Sequence, residues 1–366
     1  MKVLHVYAGN LYGGVERMLA TFARHAGAVP EMETRFALAY EGRLAGELRD
    51  AGAPVAVLGG ARLSRPWSVW AARRRFSRLL AAERPDVAVF HSAWSHGIFA
   101  PAAKRAGVRV GFWLHDAVSG DAAEARARRT PPDVAVCTSA WVWARFPQLF
   151  RGIVPEVIHP AVEAPPDHSA ERAAVRAELG TDDEAVVILQ ASRMEPWKGH
   201  RPHLEALARL GDRPRWTCWM AGGGQRPHEV RHAAEMEALA ERLGIGGRVR
   251  WLGERTDVPR LLAAADLLCQ PNLGPEPFGI TYVEAMYAGL PVVAAATGGA
   301  LEIVTDATGV LVPAGDASSL AGALRTLAAD PALRRRLGEA GPARARELCD
   351  PAQQMRRLHE VLGAAA

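Results

Sequence analysis

Cysteine and lysine are both rare in this sequence of 366 residues, and each scarcity excludes something. The four cysteines, Cys137, Cys218, Cys269 and Cys349, stand far apart, with no C-x-x-C spacing and no paired histidine. A zinc knuckle and a disulfide framework are therefore unsupported, and the thiols read as small buried hydrophobes in a reducing compartment. Long apolar runs are missing too: none approaches the roughly 20 residues that cross a bilayer. The first residues carry one positive charge and a short strand-like run without a signal-peptide core or cleavage site, so a cytoplasmic protein is expected. No D-x-D metal motif occurs, and no fixed-period repeat, which sets a solenoid aside.

Of the 44 basic residues only Lys2, Lys104 and Lys198 are lysine, so a lysine inside a motif draws notice. The net charge of +4 is unevenly spread. Residues 1–160 hold 21 Lys+Arg against 13 Asp+Glu, a balance of +8, and the remainder holds 23 against 27, a balance of −4. What is plentiful is ordinary globular material: 49% hydrophobic and 23% charged residues, with 35 glycines and 25 prolines. The length suits two domains of the usual size.

Short Val/Ile/Leu/Ala runs alternate with helical periodicity from end to end, the pattern of parallel sheets covered on both faces. Strands are expected at 3–8, 35–40, 55–58, 87–90, 108–114, 134–138 and 154–158, with helices at 16–25, 44–51, 69–82, 97–106 and 140–149. The stretch 159–167 carries three prolines and reads as a linker. A second series follows, with strands at 185–191, 217–221, 249–252, 267–270, 291–295 and 310–312. Its helices are expected at 170–179, 202–210, 229–243, 258–264, 281–288 and 318–328, and helical pattern continues through 331–348 and 351–362. The reading is α/β: two tandem Rossmann-like domains, 1–160 and 161–350, with a ligand cleft expected between them.

Three segments could carry chemistry. In the first, Ala8-Gly9-Asn10-Leu11-Tyr12-Gly13-Gly14 follows a strand and opens a helix, where paired glycines let backbone amides approach an anion. The fit to G-x-G-x-x-G is poor and no Walker lysine follows, which disfavours nicotinamide and P-loop nucleotide binding. In the second, Gln190-Ala191-Ser192-Arg193-Met194-Glu195-Pro196-Trp197-Lys198-Gly199 ends a strand, and Arg193 and Lys198 on its loop could clamp a diphosphate, with a structural salt bridge through Arg193 as the plainer account. In the third, Pro275-Glu276-Pro277-Phe278-Gly279-Ile280-Thr281-Tyr282-Val283-Glu284 sets a loop carboxylate before a helix and a second carboxylate inside it. That arrangement can bind sugar hydroxyls, phosphate at the helix amino end and a ribose diol.

Together these segments closely resemble the retaining GT-B glycosyltransferases of family 4, over essentially the whole chain. The second-domain motifs are the specific ones; the first domain matches mainly at Gly13-Gly14 and His115-Asp116. The resemblance implies transfer of a sugar from a UDP- or GDP-sugar, with no metal and no cofactor beyond that co-substrate. Arg193 and Lys198 would bind the donor diphosphate, Glu276 the sugar hydroxyls and Glu284 the ribose. Amides around Phe278, Gly279 and Ile280 would cap the phosphate, Gly14 would lie at the diphosphate and His115 near the donor sugar. Catalysis would rest on electrostatic stabilisation of the leaving diphosphate, the donor phosphate taking the acceptor proton, with domain closure gating turnover. Family members also fold the last helix back onto the first domain, which the stretch 351–366 would do here. Two departures stand out: His159-Pro160 replaces the usual Asn-Gly before the second domain, and Pro277 stiffens the chain after Glu276.

The acceptor is open. His91 and His96, read as lying on a strand-end loop, are candidate acceptor contacts but too weakly spaced for a metal site. The run Arg73-Arg74-Arg75-Phe76-Ser77-Arg78, with Trp67 and Trp70 nearby, is either a solvated face or a contact with an anionic membrane, placing the protein at the inner membrane face. An anionic acceptor and no nucleic acid are expected. Two other readings stay in view: a nucleotide-sugar epimerase or sugar phosphorylase of the same architecture, and a non-catalytic protein binding membrane or nucleic acid.

Overall fold

The computed structural model describes residues 1–211, 215–224 and 226–364. It divides into two compact units: Met1–Glu163 joined by the stretch from Cys349 onward, and Ala164–Leu348. Among the described residues the first unit holds one seven-stranded sheet, β1 (Lys2–Tyr7), β2 (Glu33–Leu38), β3 (Val55–Val57), β4 (Val87–Phe90), β5 (Arg109–Leu114), β6 (Val134–Cys137) and β7 (Glu156–Val157). Its order is β3-β2-β1-β4-β5-β6-β7 and every pairing is parallel. The second unit repeats the plan with β8 (Val186–Ala191), β9 (Trp216–Ala221), β10 (Val249–Gly253), β11 (Leu267–Gln270), β12 (Val292–Ala295) and β13 (Gly309–Val312), ordered β10-β9-β8-β11-β12-β13.

The apolar runs explain the strands: β4, β6, β8, β9, β11 and β12 are buried at every position, as a sheet covered on both faces requires. On one face of the first sheet lie the helices Pro66–Glu83 and Ala93–Arg105, packed through Phe76, Phe99 and Ala103 onto Phe90 and Phe112. On the other lie Gly14–Arg24 and the last helix, Pro351–Ala364, whose Met355, Leu358 and Leu362 share a core with Met18, Phe22 and Trp113. Arg109 donates to the Leu362 carbonyl at 2.8 Å, fixing the end of that helix to β5. Residues 365 and 366, included in the expected last helix, lie outside the described residues.

Two helical expectations are corrected. The stretch 140–149 is not one helix but Ala140–Trp143 followed by a 3-10 turn Phe146–Gln148, because Pro147 has no N–H to continue the ladder. An unforeseen helix, Ala122–Ala127, is started by Asp121, whose carboxylate accepts from the amides of Ala123 and Glu124.

In each sheet the connections reverse direction at one place, between β1 and β4 in the first and between β8 and β11 in the second. There the loops leaving neighbouring strand ends diverge to opposite faces and open a crevice, the usual ligand position in such sheets. The loop 8–13 and His91 lie at the first of these points. The loops 192–199 and 271–278 lie at the second.

Candidate functional site

In the second unit, β8 runs out into Ser192–Glu195, makes a 3-10 turn at Pro196–Lys198 and enters the helix His200–Leu207. The turn is pressed against the chain leaving β11. Gly199 has φ +76°, and a Cβ there would sit 1.8 Å from the Pro271 carbonyl oxygen, so only glycine permits the crossing. The contact brings Lys198 to Glu276: its ammonium lies 2.5 Å from Glu276 Oε2, and the same oxygen accepts from Asn272 Nδ2 at 2.8 Å. Both charged side chains are largely enclosed, 12% and 18% exposed.

The backbone beneath Lys198 is held as well. Gln190, the penultimate residue of β8, donates to the Lys198 carbonyl at 2.9 Å, and its own carbonyl oxygen is engaged by His203 Nδ1 at 2.7 Å. Trp197 lies under the Lys198 ammonium, 3.9 Å from ring centroid to nitrogen, and donates its indole N–H to Glu195. Arg193 belongs to a separate arm of the site. Its guanidinium pairs with Glu195 at 3.1 Å and Glu229 at 3.7 Å, so the salt-bridge account of this residue holds, yet 40% of the side chain stays exposed and open to a ligand.

Glu276 is carried by a second close crossing. It forms an isolated parallel bridge with Gly298, whose φ is +63° and whose Cβ would lie 2.2 Å from the Glu276 carbonyl oxygen. The Gly299 amide donates to that carbonyl at 2.7 Å. Phe278 is buried, Gly279 caps the helix Ile280–Tyr287, and Glu284 lies within that helix, 7% exposed. The eight-residue helix directs its first-turn amides out of its amino end, beside the Glu276 loop. Sequence reading assigned no role to Asn272, to Gln190 or to the Gly298-Gly299 pair. A Gly-Gly between a strand and a helix was the available signal, and Asn272 is one of only two asparagines in the sequence.

In the first unit, Gly13 is the N-cap and Gly14 the first residue of the helix Gly14–Arg24. The amino end is already engaged by a carboxylate. Burial raises the Glu16 carboxyl above its ordinary range, while bonds from its own backbone, from Gly13 and from the Tyr7 hydroxyl pull the other way. Tyr7 is pushed up by its burial and by the charges of Glu16 and Asp116.

His91 lies at a strand end as the sequence suggested, but His96 does not. Ser92 caps the helix Ala93–Arg105 one turn earlier than expected, so His96 lies inside that helix rather than on a loop. It is fully buried against Phe90, Phe112 and Phe150 and donates from Nε2 to the Thr130 carbonyl at 2.7 Å, a core histidine with no surface for an acceptor. Burial lowers its pKa to about 4. His91 directly follows β4 and is 2% exposed; its two ring nitrogens meet His5 and His115. His115 directly follows β5, 9% exposed. Among the described residues, no group of three or more His, Cys, Asp or Glu side chains is placed to hold a metal ion.

Two doubly wound parallel units, the second with charged, glycine-crossed loops at its reversal point, define the GT-B architecture. The family model described as Glycosyl transferases group 1 matches residues 171–344, and that described as Glycosyltransferase Family 4 matches residues 12–164. The chain belongs to the GT-B glycosyltransferases of family 4. A D-inositol 3-phosphate glycosyltransferase from Mycobacterium sp. (strain KMS) is 37% identical over 175 residues, 47% of this chain and 39% of that protein. A GDP-mannose-dependent monoacylated alpha-(1-6)-phosphatidylinositol monomannoside mannosyltransferase from Corynebacterium glutamicum is 31% identical over 233 residues, 58% of each. The matches thus span less than two thirds of either relative. The crystal structure of Anabaena HepE in complex with UDP and glucose agrees over 100% of both chains, with a TM-score of 0.85 and 26% identity. A glycosyltransferase from Rickettsia africae ESF-5 shares the fold at 20% identity, with a TM-score of 0.86 over 100% of this chain and 98% of that one.

Proposed function

We propose that the protein transfers a sugar, with retention at the anomeric carbon, from a nucleotide diphosphate sugar to a phosphate-bearing acceptor. The observation that carries the reading is the Lys198–Glu276–Asn272 cluster beside the amino end of the helix Ile280–Tyr287. Charge on the leaving diphosphate would be met by Arg193, Lys198 and the amides around Phe278, Gly279 and Ile280. Glu276 would take the sugar hydroxyls, Glu284 the ribose diol, His115 the donor sugar and Gly14 the diphosphate. With Oε2 held by a lysine and an asparagine, Glu276 is arranged to accept hydrogen bonds rather than to attack carbon. The acceptor proton then passes to the departing phosphate. No metal has a role in this scheme. Full-length likeness to a protein crystallised with UDP-glucose supports a UDP-sugar as donor.

Purified protein incubated with UDP-glucose, UDP-galactose or GDP-mannose should release the nucleoside diphosphate and add one hexose mass to an inositol phosphate or phospholipid. Binding without turnover of any nucleotide sugar would defeat the transferase reading in favour of a silent binding protein. Interconversion of the nucleotide sugar without an acceptor would point instead to an epimerase.

The acceptor reading extends to a membrane. Two relatives are named for an inositol phosphate and a phosphatidylinositol mannoside. In this chain Trp67 and Trp70 are 69% and 63% exposed on the helix Pro66–Glu83, with the Arg74 guanidinium over the Trp70 ring. No Asp or Glu occurs from Ala51 to Ala82. Interfacial tryptophans flanked by arginines suit an anionic leaflet. Replacing both tryptophans by serine should lower sedimentation with phosphatidylglycerol vesicles about tenfold, and equal sedimentation of wild type and variant would remove the membrane from the account.

A further inference from the structure

The three histidines of the first sheet form one hydrogen-bonded row across three neighbouring strands. His5 lies within β1, and His91 and His115 follow β4 and β5. His5 Nδ1 is 2.8 Å from His91 Nε2, and His91 Nδ1 is 3.0 Å from His115 Nε2. Aromatic rings enclose the row: Phe36 is stacked on His5, Phe22 is tilted against it, and Trp113 is stacked on His115. Such surroundings keep the rings neutral, and burial lowers His5 and His115 to about 3 and His91 in the same direction.

A neutral imidazole has one N–H and one lone pair, so each contact in the row needs a donor on one side and an acceptor on the other. Only two proton arrangements satisfy both contacts, and they differ at every ring. The inner end chooses between them. His5 Nε2 is buried and has no partner among the described residues. Leaving an N–H orphaned there costs more than leaving a lone pair. The proton of His5 therefore lies on Nδ1 and is donated to His91, and His91 donates in turn from its own Nδ1 to His115 Nε2. The remaining proton of His115 must sit on Nδ1, the nitrogen outside the row.

We propose that His5 and His91 are positioning residues that hold His115 as the Nδ1–H tautomer, so that it presents a hydrogen-bond donor to an oxygen of the bound sugar. The ligand half of this proposal rests on the donor-sugar reading of His115; the tautomer half does not. A free histidine side chain prefers Nε2–H, so the row imposes the less common form.

The test uses the full chain labelled with ¹⁵N-histidine, with long-range ¹H–¹⁵N correlation at pH 7.5 and His115 assigned through His115→Gln. The expected spectrum shows a protonated Nδ1 and a bare Nε2 on His115; the reverse pattern overturns the proposal. Asp at position 91 puts an acceptor near the place of Nδ1, whereas Asn can keep a donor there. His91→Asp should draw the proton of His115 to Nε2 and raise KM for UDP-glucose about tenfold, with kcat changed less than about threefold. His91→Asn should restore both to near wild type. Equal losses in the two variants at unchanged thermal stability would show packing alone and overturn the role. If His91→Asp does not fold, His91→Glu offers the same acceptor on a longer arm and the same spectral readout. If wild type turns over no nucleotide sugar, the donor reading fails while the spectrum still decides the tautomer.

Discussion

Each of the three lysines is committed, but only one at the candidate site. Lys2 donates to the Glu83 carbonyl at 2.7 Å, and Lys104 pairs with Asp133. Lys198 is set at the candidate site against the Glu276 carboxylate, which Asn272 also holds. Lys198→Met should therefore leave the fold intact and lower kcat/KM at least about a hundredfold, since a preorganised charge facing the leaving group is lost; steady-state kinetics with UDP-glucose checks this. Glu284→Ala should act differently, weakening UDP binding about tenfold by calorimetry through the lost ribose bonds. Unchanged affinity would count against that contact. At this scale the sequence showed the charged residues of the motifs but not their supports. Asn272 and Gln190 carry no motif of their own, and their importance comes from where the chain crosses itself. His96 misled for the converse reason, since a buried imidazole and an exposed one look alike in a string of letters.

At the scale of elements, the parallel strands were legible because both of their faces are buried, which leaves an unbroken apolar run. Strand order was not, because pairing is decided by crossovers rather than by composition. The loops were legible only as glycine-rich ends of strands. Gly199 is the clearest case: in the sequence it merely follows a lysine, and in the fold it is the point where two loops touch. Gly199→Ala should lower the thermal midpoint by at least about 5 °C and displace Lys198 from Glu276, a steric clash and a strained φ acting together. A wild-type melting curve for this variant would show that the crossing can yield.

The molecule as a whole carries a set of buried imidazoles that makes its stability sensitive to acid. Burial lowers His5, His115, His200 and His203 to about 3 and His96 to about 4, against about 6.5 for an unfolded histidine. Between those values the unfolded chain binds protons that the folded chain refuses, so stability is full above about pH 6.5 and is lost as pH falls toward 3. Melting at pH 7.5, 6 and 5 should give steadily lower midpoints, and His96→Phe should flatten the trend; a midpoint constant over this range would contradict it. The chain leaves the first unit after Glu163 and re-enters it at Cys349, and the Val162 amide bonds the Cys349 carbonyl at 3.0 Å. The second unit is thus an insert whose exit and return are pinned side by side. A single protease cut between 159 and 167 would leave one covalently continuous polypeptide joining both units through the return, and two cuts would be needed to liberate either.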